Sequence, residues 1–366
     1  MRMFAAFTYR DFRVQWFGAC TSSIGTWMQL VAQNWLVLSL THSPFFLGLD
    51  AFLQQLPIIL FSLAGGVLAD RRDRRRTLLA SQYVQMATSA TLAALMYFQV
   101  VQIWHILTLS FLTGVAQSFG GPAYQSLLPY EPQAMNACFA LNSLSFLVVI
   151  NTLMMLHVKH IPPATTGAMR DELKNGLSYV WHHGTLVGLT VLAAATTFLG
   201  FALLTFLPLF AAQVFKQGAS TYSHLMAYSG AGSIVGALTV AWLGRFKRMG
   251  LTALLMQIVY GGLIIMFALS RSLPISELLL FFTGFALMMV FSTVTSLVQL
   301  IAPNEMRGRV MSIYMIAFRG GMPLGSLVSG WLATMISAPT VLIVNGVLLS
   351  LVAAWFLLNN HGVRDL

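Results

Sequence analysis

Charge is what this sequence has least of. Only 8% of its 366 residues are Asp, Glu, Lys or Arg, while 57% are hydrophobic; an ordinary soluble domain is roughly 25% charged. A water-facing shell for a chain of this length needs far more charge than that. A soluble globular enzyme is therefore excluded, and a lipid bilayer is the surrounding that fits. Cysteine is nearly absent. Cys20 and Cys138 lie inside apolar runs without metal-ligand spacing, which makes them small packing residues. The sequence shows no nucleotide-binding loop, catalytic triad or paired-carboxylate site, so neither an enzyme nor a cofactor is expected. Residues 1 to 13 contain Arg2, Arg10, Asp11 and Arg13 and lack a signal-peptide cleavage pattern; the first helix is expected to stay as an uncleaved anchor.

The few charges leave long gaps. None occurs from Val14 to Leu49, Thr77 to Tyr130, Pro132 to Val158, Asn175 to Phe215 or Gly320 to Val363. A helix needs about 20 apolar residues to cross the hydrocarbon, so these gaps hold one span or two. Backbone groups in lipid must bond internally, which permits helices or closed barrels. Barrel strands alternate apolar and polar residues, and these runs do not. The fold class is an all-α polytopic membrane protein. Eleven spans are expected, near 14–40, 45–69, 77–99, 103–128, 138–157, 185–211, 221–243, 250–270, 274–300, 309–336 and 338–358.

Between the fifth and sixth runs, Met169, Leu173, Leu177 and Val180 recur at helical spacing beside Arg170, Asp171, Glu172 and Lys174. That pattern predicts a surface amphipathic helix in a linker over 158–184. On this plan residues 1–157 form an amino-terminal bundle of four clear spans plus one further segment, and residues 185–366 form a carboxy-terminal six-helix bundle.

An internal repeat supports two halves. QSLLPYE at Gln125 to Glu131 and QLIAPNE at Gln299 to Glu305 share Gln, Pro and the acid at an offset of 174 positions. The same offset carries Arg71 onto Arg245 and Arg74 onto Arg248. Parallel halves are a recurrent transporter plan. After Glu305 two spans follow, yet only 27 uncharged residues separate Glu131 from Lys159, so one helix is missing from the first half.

Charge placement leads to the same conclusion. The net charge of +10 sits in short clusters between apolar runs, with no basic face for nucleic acid, so it is read as positive cytoplasmic loops. With the amino end and the 158–184 linker both cytoplasmic, every Lys and Arg falls inside except Lys216, Arg271 and the intramembrane Arg319. This requires an even number of crossings before the linker, so residues 138–157 are expected not to cross in the ordinary way, or the chain is a shortened copy.

The sharpest local motif is GGVLADRRDRRR, Gly65 to Arg76, directly after the second span. As chemistry it is a close-approach glycine, a carboxylate that can cap or pair, and arginines for lipid phosphates. The same residues make a plain stop-transfer loop. Gly66, Asp70, Arg71, Arg74 and Arg75 nevertheless fit G-x-x-x-D-R-x-x-R-R, and in this they resemble the loop between helices two and three of the major facilitator superfamily. NEMRGRVMSIYMIAFRGGMPLGSLVSG, Asn304 to Gly330, resembles the loop and eleventh helix of its enterobactin-exporter-like, or transmembrane secretion effector, branch. FGGPAYQSLLP at Phe119 to Pro129 resembles that branch's fourth helix.

The resemblance implies twelve helices in two bundles, with alternating access to a central cavity. It implies that Asp70, with Arg71, Arg74 and Arg75, belongs to a cytoplasmic gating network, and that Arg307, Gly308 and Arg309 form the equivalent loop of the second half. It also implies proton-coupled efflux of small amphipathic or siderophore-like compounds by a monomer in a bacterial inner membrane, its partners being lipid and a small-molecule substrate. CFALNSLSFLVVI at Cys138 to Ile150 resembles the sixth helix and follows the fourth almost directly; the fifth, with its glycine-proline motif, is the one absent. A non-transporting remnant or membrane assembly partner is therefore the alternative function.

Ionisable residues within spans are functional by default, because their burial is costly. Asp50 is either a proton-coupling carboxylate or a solvated or capping residue near the outer end of the second helix. Arg319 has three uses open to it: pairing with Asp50, binding an anionic substrate, or bonding backbone carbonyls. Gln29, Gln33 and Asn34 in the first span and Gln54 in the second line a cavity or hold helices together. His157, His160, His182 and His183 flank the linker without a carboxylate or cysteine at ligand spacing, so no metal is expected. The abundant Met and Phe residues read as packing and lipid contact. The topology has a direct test: single cysteines placed in the 158–184 linker and beside Arg245 are expected to react with an impermeant thiol reagent from the cytoplasmic side only. Reaction of both from outside overturns the charge argument.

Overall fold

The computed structural model describes residues 10–71, 74–120, 177–303, 306–359 and 361–366. Side chains are described at 25–61, 79–118, 177–303, 306–359 and 362–366. The expected span at 138–157 and most of the linker lie outside the described residues. The chain divides into two compact units. One holds Met1–His42 and Leu53–Ala164, the other Ser43–Phe52 and Thr165–Leu366.

In the first unit are α1 (Arg10–Thr41), α2 (Pro44–Arg71) from Leu53 onward, α3 (Arg74–Tyr97) and α4 (Ile103–Gly120). Between helices in lipid there is little hydrophobic drive, so small residues and polar contacts decide which pairs meet. Gly114 of α4 lies against the Gln54 carbonyl and Pro57 of α2. Ser81 of α3 donates to the Ala116 carbonyl at 2.6 Å, and the Thr88 and Thr113 hydroxyls meet at 3.0 Å. These contacts explain the pairing of α3 with α4.

The second unit continues with a helical stretch at 177–182, then α5 (Gly184–Gly200), α6 (Ala202–Leu209) and a π turn at Phe210–Val214. Together, Gly184–Val214 is one apolar run of 31 residues. Beyond Pro208 the hydrogen bonding widens: Phe215 donates to the Phe210 carbonyl at 3.0 Å and Gln217 to that of Ala211 at 2.9 Å. There follow α7 (Ala219–Leu243), α8 (Met249–Leu269), α9 (Leu273–Ile301), α10 (Arg307–Met335), α11 (Ala338–Asn359) and the short α12 (His361–Arg364). Six of the described helical segments are long and apolar enough to cross a membrane, by length and composition.

Glycines set the pairs here as well. Gly232 and Gly236 of α7 abut the Phe281 and Phe285 carbonyls of α9, and Gly284 of α9 abuts the Ser229 carbonyl in return. Gly261 of α8 faces Gly346 and Ser350 of α11, while Gly321 and Gly325 of α10 face Thr197 and Phe198 of α5. An apolar cluster including Leu186, Leu189, Leu254, Val294, Val298 and Tyr314 fills the space between these pairs. Of the apolar positions of the linker pattern, Val180 joins this cluster and Leu177 is 54% exposed. Of the six exposed tryptophans among the described residues, Trp104, Trp181, Trp242, Trp331 and Trp355 sit within about one turn of a helix end, where an amphipathic indole suits the headgroup layer, while Trp27 lies mid-helix in α1.

A branched side chain at Gly232 collides with main chain, whereas Gly230, one residue to the side of Ser229, has open space around it. Gly232→Leu is expected to destabilise the purified protein by at least about 1–3 kcal/mol. Gly230→Ala is expected to be neutral or stabilising by up to about 1 kcal/mol. Thermal unfolding in detergent checks both.

Candidate functional site

Asp50 is 1% exposed and lies within the apolar stretch Pro44–Phe61. It follows a tight crossing inside the second unit. Gly48 of α2 packs on the Ser326 carbonyl and on the Gly330 Cα of α10, and Gly330 in turn packs on the Pro44 carbonyl. The two helices run antiparallel here with main chains touching. The solvated reading of Asp50 does not match its burial. Around the crossing, Thr205 and Ser326 hydroxyls meet at 3.1 Å, and Asn345 donates to the Leu199 carbonyl and to Ser329, each at 3.1 Å. These bonds tie α5, α6, α10 and α11 together.

Arg319 is half-buried in α10 and has no ion pair or hydrogen bond among the described residues. It neither pairs with Asp50 nor bonds carbonyls, which leaves the anionic-ligand use open. An aromatic ladder joins Phe201 to α9 and α10. The Phe201 and Phe291 rings stack with centroids 6.1 Å apart, Phe318 meets Phe291 edge-on at 4.7 Å, and Tyr314 stacks on Phe318 at 6.0 Å. The Tyr314 hydroxyl reaches Thr295 at 2.9 Å.

In the first unit, Gln33 donates to Ser110 at 2.8 Å and Gln29 accepts from Ser89. Two of the four expected cavity residues therefore hold helices together, joining α1 to α4 and to α3. Asn34 and Gln54 are half-buried. Gly66, Asp70 and Arg71 close α2, and Arg74 and Arg75 open α3, with side chains outside the described residues. Arg307, Gly308 and Arg309 form the first turn of α10. Arg307 and Gly308 are exposed, and Arg309 is half-buried with its guanidinium 3.4 Å from the Met306 sulfur. His182 and His183 each bond a carbonyl of their own helix, those of Ser178 and Tyr179.

Sequence reading missed the Thr205, Ser326, Ser329 and Asn345 junction, for which a lone Asn in the apolar 338–358 run was the available signal. It also missed Gln257 and Thr293, which are buried with side-chain polar atoms left without a hydrogen-bond partner. Such groups are uncommon in folded proteins, and no motif surrounds either of them.

Among the described residues, apolar helices joined by glycine crossings, with Asp50 buried and Arg319 half-buried within spans, define a polytopic helical membrane protein. The transmembrane secretion effector family matches residues 1–133 and 132–364, and the chain belongs to that family, a branch of the major facilitator superfamily. It is a transporter-family protein and not an enzyme. It is 23% identical to the staphyloferrin A transporter of Staphylococcus aureus over 83% of this chain and 85% of that one. With macrolide efflux protein A of Streptococcus pyogenes it shares 21% identity over 92% of this chain and 93% of that one. Its fold is similar to that of a bacterial homologue of the human lysosomal transporter Spinster, with a TM-score of 0.71, 12% identity and 97% of each chain covered.

The Gln33 bond gives a quantitative expectation. A double-mutant cycle on Gln33→Leu and Ser110→Ala should return a coupling near about 0.6 kcal/mol, and not above roughly 1.7, in unfolding measured in mixed micelles.

Proposed function

We propose that this chain is a secondary transporter that exports small amphipathic or siderophore-like compounds by alternating access, coupled to protons, from a bacterial inner membrane with its amino terminus in the cytoplasm. The observation that carries the coupling is Asp50, a carboxylate buried inside an apolar span, where ionisable groups mark ion pathways. The names of the relatives, a staphyloferrin A transporter and a macrolide efflux protein, support export of organic molecules. The gating role of Asp70, Arg71, Arg74 and Arg75, and of Arg307, Gly308 and Arg309, is part of the same proposal. In it the 158–184 linker joins an amino-terminal bundle to a carboxy-terminal one.

A second reading, a shortened copy that inserts without transporting or serves as an assembly partner, is favoured by two observations. The family match comes in two pieces that meet at 132–133, where the sequence lacks room for a fifth helix. The alignment to the macrolide protein, at 379 positions, is also longer than the 366-residue chain and so opens gaps within it.

Reconstituted vesicles with an imposed pH gradient separate the two. Gradient-driven movement of an amphipathic dye is expected for the wild-type chain, with Asp50→Asn slowing it about tenfold or more while the protein still folds and inserts. No flux from the wild type, but flux after a fifth helix from a relative is inserted, establishes the shortened copy instead.

A further inference from the structure

We propose that Gln257 and Tyr260 hold water inside the second unit, at a closed, uncharged site on the buried face of α8. The inference goes beyond the transport reading and does not depend on it, so either can fail without the other.

Gln257 is fully buried, and neither its amide oxygen nor its amide nitrogen has a hydrogen-bond partner among the described residues. An amide enclosed in this way has given up its bonds to water and gained none in return, which is costly. In folded proteins such a group points to a bound molecule that completes it. Thr293 is unpaired as well, but a threonine hydroxyl has a remedy in its own helix, as Thr283 has with the Leu279 carbonyl at 2.6 Å. Gln257 has an acceptor to satisfy as well as donors, and the interior of a helix has no spare N–H to offer its oxygen.

Tyr260 supplies the second group. It too is buried, and its hydroxyl makes no hydrogen bond among the described residues. The two side chains are three positions apart on α8, so they share one face with Cβ atoms about 5–6 Å apart. Helical side chains lean toward the amino end of their helix, which carries the Tyr260 ring back over the turn that bears Gln257. The far end of the ring is fixed against Gly200 of α5, where an added Cβ would overlap both the ring and its hydroxyl. An amide and a phenol, both unpaired, are thus held together beside the seam between α8 and α5.

The surroundings define what can occupy such a site. The helices α5, α8 and α11 contain no Asp, Glu, Lys, Arg or His, so nothing in them balances an ion, and the ligand is neutral. Leu192 and Ala193 of α5 and Ala253, Leu254 and Ile264 of α8 are buried with it, which closes the site to a lipid chain or a larger solute. Water fits both requirements. It donates to the amide oxygen and accepts from the amide N–H, and it pairs with the phenol in either sense.

The test is X-ray radiolytic labelling of the full-length protein in phosphatidylcholine nanodiscs, read by mass spectrometry. Radiolysis makes hydroxyl radicals from water in place, so a buried ring is oxidised only where water touches it. In the wild type, Tyr260 is expected to be oxidised while Phe206 and Phe267, which are equally buried, are not. Gln257→Leu should cut Tyr260 oxidation about fivefold or more and leave the exposed Trp242 and Trp355 unchanged. Gln257→Met, unbranched and apolar, replaces it if the leucine variant does not fold. An unlabelled Tyr260 in the wild type overturns the proposal. Equal labelling of Tyr260 in the wild type and a folded variant does so as well, since the water is then not held by Gln257. Oxidation of Phe206 and Phe267 along with Tyr260 marks general opening of the bundle and also overturns it.

Discussion

Everything in this molecule depends on how closely two helix backbones can approach in a medium that gives them no hydrophobic reason to do so. Lipid chains are as apolar as leucine, so helices associate through dispersion, shape and the occasional polar bond. The glycines at 232, 236 and 284, at 261 and 346, and at 321 and 325 remove the side-chain layer that would hold main chains apart. Each crossing then replaces lipid contacts with backbone contacts over several turns. The larger side chains, such as Tyr314, Phe206 and Phe267, fill the space that the crossings leave between pairs.

On this frame polar residues play two distinct parts. Gln29, Gln33, Ser81, Thr205 and Asn345 are matched to partners on neighbouring helices and cost little to keep in the membrane. Asp50 and Arg319 are ionisable groups placed within spans of the same unit, where charge is costlier to keep than a hydroxyl or an amide.

Much of the fold was legible because apolar length is a strong signal. The run from Leu273 to Ile301 and that from Ala338 to Asn359 begin and end within a residue or so of where the charges and prolines put them. The run predicted to end at 211 extends through the π turn to Val214, since hydropathy does not register the hydrogen-bond shift that follows Pro208. The candidate site was legible only as a set of residue types. Sequence singled out Asp50 and Arg319 because they are charged where charge is rare, and it listed pairing with each other among their uses. Register across an antiparallel crossing decides such a pair, and register depends on which glycine meets which carbonyl. The Gln residues were equally visible, but only their partners, Ser89 and Ser110, distinguish a helix clasp from a cavity wall. Phenylalanines spread over Phe201, Phe291 and Phe318 form a ladder through tertiary structure alone, so composition could not separate them from lipid-facing packing.

The contact of Gly48 with the Ser326 carbonyl has a consequence for how this chain can change over generations. A position with main chain on the opposite side offers no intermediate sizes to try, since even a methyl group overlaps the carbonyl. Drift at Gly48 and Gly330 is thus closed to the small steps by which most of a membrane protein's lipid-facing surface can wander. Substitution in this unit is easier at neighbours with room, such as the half-buried rings of α9 and α10, while the crossing itself is a fixed point of the packing.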